Sequence, residues 1–160
     1  MKEKNSLNIV LYQPVIPQNT GSIARLCACT GASLHLIHPL GFQVDDASLK
    51  RAGLDYWPFV DVNHHESWEA FVDKEEPKHL TLYTKFATMH YTTHRYETPT
   101  YLVFGSETKG LPPEIHKTYA DKLYKIPMRT SIVRSLNLAQ SAAIVLYEVI
   151  RQHDLGSGLT

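Results

Sequence analysis

Cysteine is nearly missing from this sequence of 160 residues, which holds only Cys27 and Cys29. Residues two apart on a helix point to different faces. The pair therefore makes neither a disulfide nor a shared metal site, and both are expected as buried, reduced thiols. Long apolar runs are missing too: no stretch of about 18 apolar residues exists, so no membrane-spanning helix is expected. Residues 1–6 are polar and lack the apolar core of a secretion signal, which makes the cytoplasm the expected location. Neither sign of charge is in excess, with 16 basic and 16 acidic side chains. Nucleic-acid binders are usually more basic, so an RNA partner has to be argued from where the cations sit. Nine histidines raise the question of a metal, but His64 and His65 are adjacent and no Cys-x-x-Cys occurs, so no metal is expected. The Gly-x-Gly-x-x-Gly of dinucleotide folds and the Walker loop are also absent.

What is present is an alternation of strand and helix signals in a chain long enough for one domain with a substantial core. Residues 7–12 are a compact apolar run suited to a buried strand. The prolines of Gln13-Pro14-Val15-Ile16-Pro17 oppose helix. A helix then runs to Thr30, capped by Asn19 or Thr20 and stopped by Gly31, and residues 33–38 read as a second strand. Strand, loop, helix, strand is the repeating unit of a parallel sheet. Beyond it the pattern predicts a short helix capped by Asp45-Asp46, a turn over 54–58, a weak strand over 60–62 and a helix over 66–74. Next come a strand over 79–84, irregular chain over 87–98, a strand over 100–104 and a helix over 113–119 opened by proline. A strand over 123–126 and a helix over 136–152 close the chain. In the last helix Leu138, Ala142, Val145, Leu146 and Val149 recur at helical spacing. The expected architecture is one α/β domain spanning 1–160, a mostly parallel sheet flanked by helices.

Ligands of open α/β sheets bind beyond the carboxyl ends of the strands. Three loops at such ends are unusual: 19–25, 105–110 and 126–137. The last is polar and opens into a helix N-terminus, whose free N–H groups can hold a ligand's oxygens. Ser135 or Asn137 there can equally serve as a plain helix cap. Gly105 and Gly110 supply either turn geometry or a close approach of ligand to main chain.

Read in order, Asn19-Thr20-Gly21-x-x-x-Arg25, Phe104-Gly105-x-Glu107-x-x-Gly110, and Ile126-Pro127-Met128 with Arg134-Ser135-Leu136-Asn137 resemble the three motifs of the SPOUT RNA methyltransferases. Arg51-Ala52-Gly53-Leu54-Asp55-Tyr56-Trp57 and the short length resemble the branch that methylates the wobble ribose of tRNA. The resemblance covers residues 7–152. It implies a C-terminal deep trefoil knot, a homodimer, and S-adenosylmethionine bound in the knot and released as S-adenosylhomocysteine. It also implies no appended RNA-binding domain and, as substrate, the 2′-hydroxyl of nucleotide 34 in the anticodon stem-loop, in leucine tRNAs.

The resemblance assigns residues as well. Arg25, Asn19, Glu107, Ser135 and Asn137 become the catalytic set, and Leu82, Gly105, Ile126 and Ser135 the cofactor contacts. Arg25, Arg134, Lys109 and Arg51 become RNA contacts, with Lys50, Lys85 and Arg129 as weaker ones, and Ala143 and Tyr147 fall in the dimer interface. A guanidinium keeps its proton in proteins, so Arg25 is expected to stabilise a developing alkoxide rather than to act as a base. Ser22, Ser106, Lys109 and the pair Ala139-Gln140 depart from the family's commoner residues, and Lys109 loses the bidentate fork of arginine. Two alternatives stay open on these residues: the same chemistry on ribosomal RNA or another tRNA site, and a non-enzymatic RNA- or nucleotide-binding module.

Overall fold

The computed structural model describes residues 5–45, 47–154 and 159, with the side chains of 53 and 54 left aside. Seven strands form a sheet in the order β3-β2-β1-β6-β4-β7-β5, and every pairing is parallel. The strands are β1 (Leu7–Tyr12), β2 (Ser33–Ile37), β3 (Val62–His65), β4 (His79–Tyr83), β5 (Met89–His90), β6 (Thr100–Phe104) and β7 (Leu123–Lys125). The helices are α1 (Pro17–Thr30), α2 (Ala47–Gly53), α3 (Trp68–Glu75), α4 (Pro113–Thr118) and α5 (Leu138–His153).

Alternation along the strands builds a core on each face. Leu7, Ile9, Leu11, Leu34, Leu36, Leu102 and Phe104 pack with Ile23, Ala24 and Cys27 of α1 and with the stripe of α5. On the other face Val10, Ile37, Leu80, Leu82, Tyr101 and Val103 pack with Trp68 and Phe71 of α3 and Ile115 of α4. Each buried aliphatic side chain of this kind contributes about 1.5–3 kcal/mol, which is what fixes α5 against the sheet. Among the described residues no helix is long and apolar enough to cross a membrane.

Several expectations need correcting. Helix α1 starts at Pro17, not beyond it: proline sits in the first turn, where its missing N–H is no loss, and the cap residue Ile16 makes no side-chain bond. Neither Asn19 nor Thr20 caps it. The weak strand lies at Val62–His65 rather than 60–62, because it pairs with β2 as a sheet edge. Residues 54–59 are a 3₁₀ helix, and the stretch taken as irregular contains β5 and a 3₁₀ turn at Tyr91–Thr93. Helix α5 begins at Leu138 with Asn137 as its cap, and β7 stops at Lys125. Cys27 is buried as expected and burial pushes its thiol up to about 12, but Cys29 is exposed. Asp46, half of the expected cap of α2, lies outside the described residues.

The far end of α5 is tied to the segment after β5. The Gln152 carboxamide accepts from the Tyr96 N–H at 3.0 Å and donates to the His94 carbonyl at 2.9 Å, and His153 meets the Tyr96 carbonyl. The Tyr96 hydroxyl accepts from Tyr83 of β4 at 2.9 Å and donates to the Tyr91 carbonyl at 2.8 Å.

Candidate active site

Strand order decides which loops can meet. The carboxyl ends of β1, β6, β4 and β7 lie side by side, so the chain leaving each opens onto one edge of the sheet. The 105–110 loop closes on itself: the Ser106 N–H reaches the Gly110 carbonyl at 3.3 Å and the Gly110 N–H returns to the Ser106 carbonyl at 2.9 Å. Gly110 has φ +63°, and a Cβ on Gly105 would stand 2.4 Å from the Gly110 carbonyl carbon. The absent side chain at 105 is therefore required by the loop's own closure. Of the two uses read for Gly105, turn geometry is the one this contact accounts for.

This closed loop presents Glu107 to its neighbours. One carboxylate oxygen accepts from the Val15 N–H at 3.0 Å, and the other from the Ile16 N–H at 2.8 Å and the Asn19 amide at 3.2 Å. An acid beside the start of α1 is favoured by the helix dipole, and it fills the place an external anion would take. Asn19 Oδ1 accepts from the Asn137 side-chain amide at 3.0 Å. The Asn137 oxygen accepts from the N–H groups of Ala139 and Gln140 at 2.9 and 3.2 Å. Donors and acceptors run in one direction, from the α5 N-terminus through Asn137 and Asn19 to the Glu107 carboxylate, and such polarised chains reinforce their members. Asn19, Glu107 and Asn137, drawn from three distant motifs, thus form one connected unit.

A model of the SpoU rRNA Methylase family matches residues 6–147. The chain belongs to the SpoU methylase family. A protein of Yersinia pestis named tRNA (cytidine(34)-2′-O)-methyltransferase is 47% identical over 152 residues, covering 91% of this chain and 93% of that one. A solved structure presented as structural insights into the 2-OH methylation of C/U34 on tRNA is 43% identical, with a TM-score of 0.85, covering 92% of this chain and 96% of that one. The SpoU methyltransferase AviRb of Streptomyces viridochromogenes, in complex with the cofactor AdoMet, is 27% identical with a TM-score of 0.84, covering 96% of this chain and 62% of that one. The parallel seven-stranded sheet flanked by helices is therefore the SpoU arrangement.

The remaining SpoU-motif residues are placed less tightly. Arg25 is exposed on α1, and its guanidinium lies over the Tyr56 ring, 5.3 Å from the centroid; its contact is Tyr56, not Asn19 or Glu107. Ser135, Arg134, Lys109 and Arg51 are exposed, as are Lys50, Lys85 and Arg129. The Arg134 carbonyl accepts from Lys85 Nζ at 3.4 Å, which joins the chain leaving β4 to the 126–137 loop. The Ser135 hydroxyl is exposed, and among the described residues the buried Thr20 hydroxyl beside Asn19 has no hydrogen-bond partner. Ile126 is half-buried against the α1/α5 core. Leu82 is fully buried on the other face, so its side chain belongs to the core. On α5, Ala143 is half-buried while Ile144 and Tyr147 are exposed; Ala142 is spent on the core.

One cluster went unseen in the sequence. His35 of β2 and His65 of β3, thirty positions apart, lie with ring nitrogens 3.0 Å apart. With Glu75, their ligand-capable atoms fall within 4.8 Å of one another. The Asn8 amide donates to the Asn5 and Thr100 carbonyls, so its oxygen accepts from His35 Nε2, 3.1 Å away. That leaves His35 Nδ1 as acceptor and His65 Nε2 as donor. Burial lowers both histidines, His35 to about 3 and His65 to about 4, so both are neutral at pH 7.

Proposed function

We propose that this SpoU protein transfers the methyl group of S-adenosylmethionine to the ribose 2′-oxygen of the wobble nucleotide, position 34, of tRNA, with leucine tRNAs as the substrates. The observation that carries the reading is the Glu107–Asn19–Asn137 relay: it locks three motif loops into one frame at the sheet's carboxyl edge. The activities for which the relatives are named support the same reaction and position.

The residues at this edge fit the cofactor. Half-buried Ile126 offers an apolar contact, the main chain at Gly105 offers polar atoms, and Ser135 offers an exposed hydroxyl beside the α5 N-terminus. When bound, S-adenosylmethionine supplies an electrophilic methyl carbon on a sulfonium. Held there, it would donate that methyl to the ribose 2′-oxygen, with S-adenosylhomocysteine as the leaving group and loss of the hydroxyl proton. Positive sulfur and developing negative oxygen neutralise each other along the way, so alignment and a dry site matter more than a strong base. Alignment alone supplies on the order of 7–11 kcal/mol. Arg25 keeps its proton and stabilises the developing alkoxide. Arg134, Lys109 and Arg51 hold RNA phosphates. Loss of affinity with salt is then steep.

The protein acts as a cytoplasmic homodimer that pairs the outer face of α5 at Ala143 and Tyr147, with Ile144 beside them. The chain after β7 threads the preceding loop as the trefoil knot, a reading supported by the ties of Gln152 and His153 to residues 94–96. The test is incubation with S-adenosylmethionine and a panel of unmodified tRNA transcripts, followed by nuclease digestion and mass spectrometry. The expected result is a 2′-O-methyl group at nucleotide 34 of leucine tRNAs, reduced about 100-fold or more by Arg25→Ala. A methyl group elsewhere, or none, overturns the reading.

A further inference from the structure

Phe86 is held rigidly by a turn that does nothing to bury it. The turn leaves β4 and closes through the Ala87 N–H to the Thr84 carbonyl at 3.2 Å. The Thr84 hydroxyl accepts from the Phe86 N–H at 3.3 Å and bonds His116 Nε2 of α4 at 3.0 Å. The Thr84 N–H donates to the Tyr124 carbonyl of β7 at 2.9 Å. The main chain is thus pinned to two elements, yet the Phe86 side chain is 75% exposed. Its ring touches only the edge of the structure, with the His116 ring 6.1 Å away at 71°. An apolar ring left in water gives up the stabilisation that burial would bring, so the fold itself gains little from fixing it there.

Its surroundings indicate what covers it. Lys85 Nζ lies 5.3 Å from the ring centroid, and the same ammonium donates to the Arg134 carbonyl. The ring therefore stands where the 126–137 loop meets the end of β4, with the Lys85 ammonium beside it and Arg134, an exposed cation, at the loop position that Lys85 holds. An apolar partner protein would have to desolvate these charges without pairing them. Unpaired RNA answers both features at once: a flat base for the ring and phosphates for the cations.

We infer that Phe86 is a stacking platform for one unpaired base of the RNA, with Lys85 and Arg134 holding the phosphates that flank it. The inference rests on the reading of the chain as a tRNA methyltransferase and adds a residue that fixes how the anticodon loop lies.

The test measures binding of an anticodon stem-loop RNA to the full chain by fluorescence anisotropy, for wild type, Phe86→Ala, Phe86→Leu and Phe86→Trp. Stacking on one aromatic side chain predicts that Ala and Leu each weaken binding about 5- to 100-fold, while Trp restores it. At one loop position an abasic nucleotide removes the difference between wild type and Phe86→Ala. The salt slope is unchanged by Phe86→Ala and reduced by about one by Lys85→Ala. Wild-type affinity in Phe86→Ala or in Phe86→Leu overturns the inference. So does a change of sedimentation in Phe86→Ala, which assigns the ring to a contact between copies of the chain. Methyl transfer by the wild type separates the two readings. A protein that methylates nucleotide 34 and is indifferent to Phe86 contradicts only the stacking. One that shows the Phe86 pattern but transfers no methyl contradicts only the reaction.

Discussion

The loops 105–110 and 126–137 follow β6 and β7, two strands with β4 between them, and are built in opposite ways. The first is closed by its own main-chain bonds and fastened by the Glu107 carboxylate to the start of α1. The second is longer and exposed, with Ile132 at 67% and Val133 at 47%. Its main-chain bonds are short-range ones from Thr130, Ile132 and Val133 back to Met128 and Arg129. It is fastened at its end by Asn137 and along its length by Lys85. A methyl transferase needs both kinds: a frame that fixes alignment and a segment with polar groups left over for ligands. Substitutions in the first loop, and at Asn137 where the second is fastened, should therefore damage the fold, and substitutions in the exposed part of the second should damage binding.

The sharpest way to break this contrast is Gly105→Ala. The new Cβ meets main-chain atoms that cannot rotate away, so the closed loop has to open. Destabilisation of about 1–3 kcal/mol in urea titration is expected, with methyl transfer abolished. A variant of wild-type stability and activity would show that the closure is dispensable. Asn137→Ala removes the α5 cap and the bond to Asn19 together. A loss of about 0.5–2 kcal/mol is expected from the cap, read as a lower thermal midpoint, with Asn19→Ala adding less in the double variant than alone.

Much of the frame was legible and its fastening was not. The strands of the core announce themselves as apolar runs, and α5 by its stripe. Edge strand β3 was displaced because Val62–His65 has one apolar residue and carries two histidines, one exposed and one buried. Pro17 misled because proline opposes a helix interior but suits a helix start. The motif residues Asn19, Glu107 and Asn137 could be picked out, but not their connection, since Asn19 lies 88 positions from one partner and 118 from the other. Nor does local pattern reveal that β6 inserts between β1 and β4, which is what sets the loops side by side. Nor does the sequence reveal that Arg25 of one motif lies over the ring of Tyr56 from another.

The histidine pair on β2 and β3 offers a region outside both loops. His35 and His65 titrate near 3 and 4 in the folded protein, below their ordinary value of 6.5. The unfolded chain therefore takes up protons first as pH falls. Stability is full above about pH 6.5 and declines towards pH 4, by about 1.4 kcal/mol per pH unit for each histidine involved. Urea midpoints at pH 7 and pH 5 check this, and the decline should be the same with or without S-adenosylhomocysteine. The smallest effect on the fold is expected for Ser135→Ala in the open loop: stability within about 0.5 kcal/mol of wild type, with weaker S-adenosylmethionine binding by calorimetry.

Hydrogen exchange followed by mass spectrometry, with and without S-adenosylhomocysteine, tests the contrast between the two loops most directly. Amides of 105–110 should be protected before any ligand is added and change little. Amides of 128–136 should exchange quickly in the free protein and slow markedly when the ligand is present. Equal protection of both loops in the free protein, or ligand protection confined to 105–110, would contradict the division between a fixed frame and a ligand-binding segment.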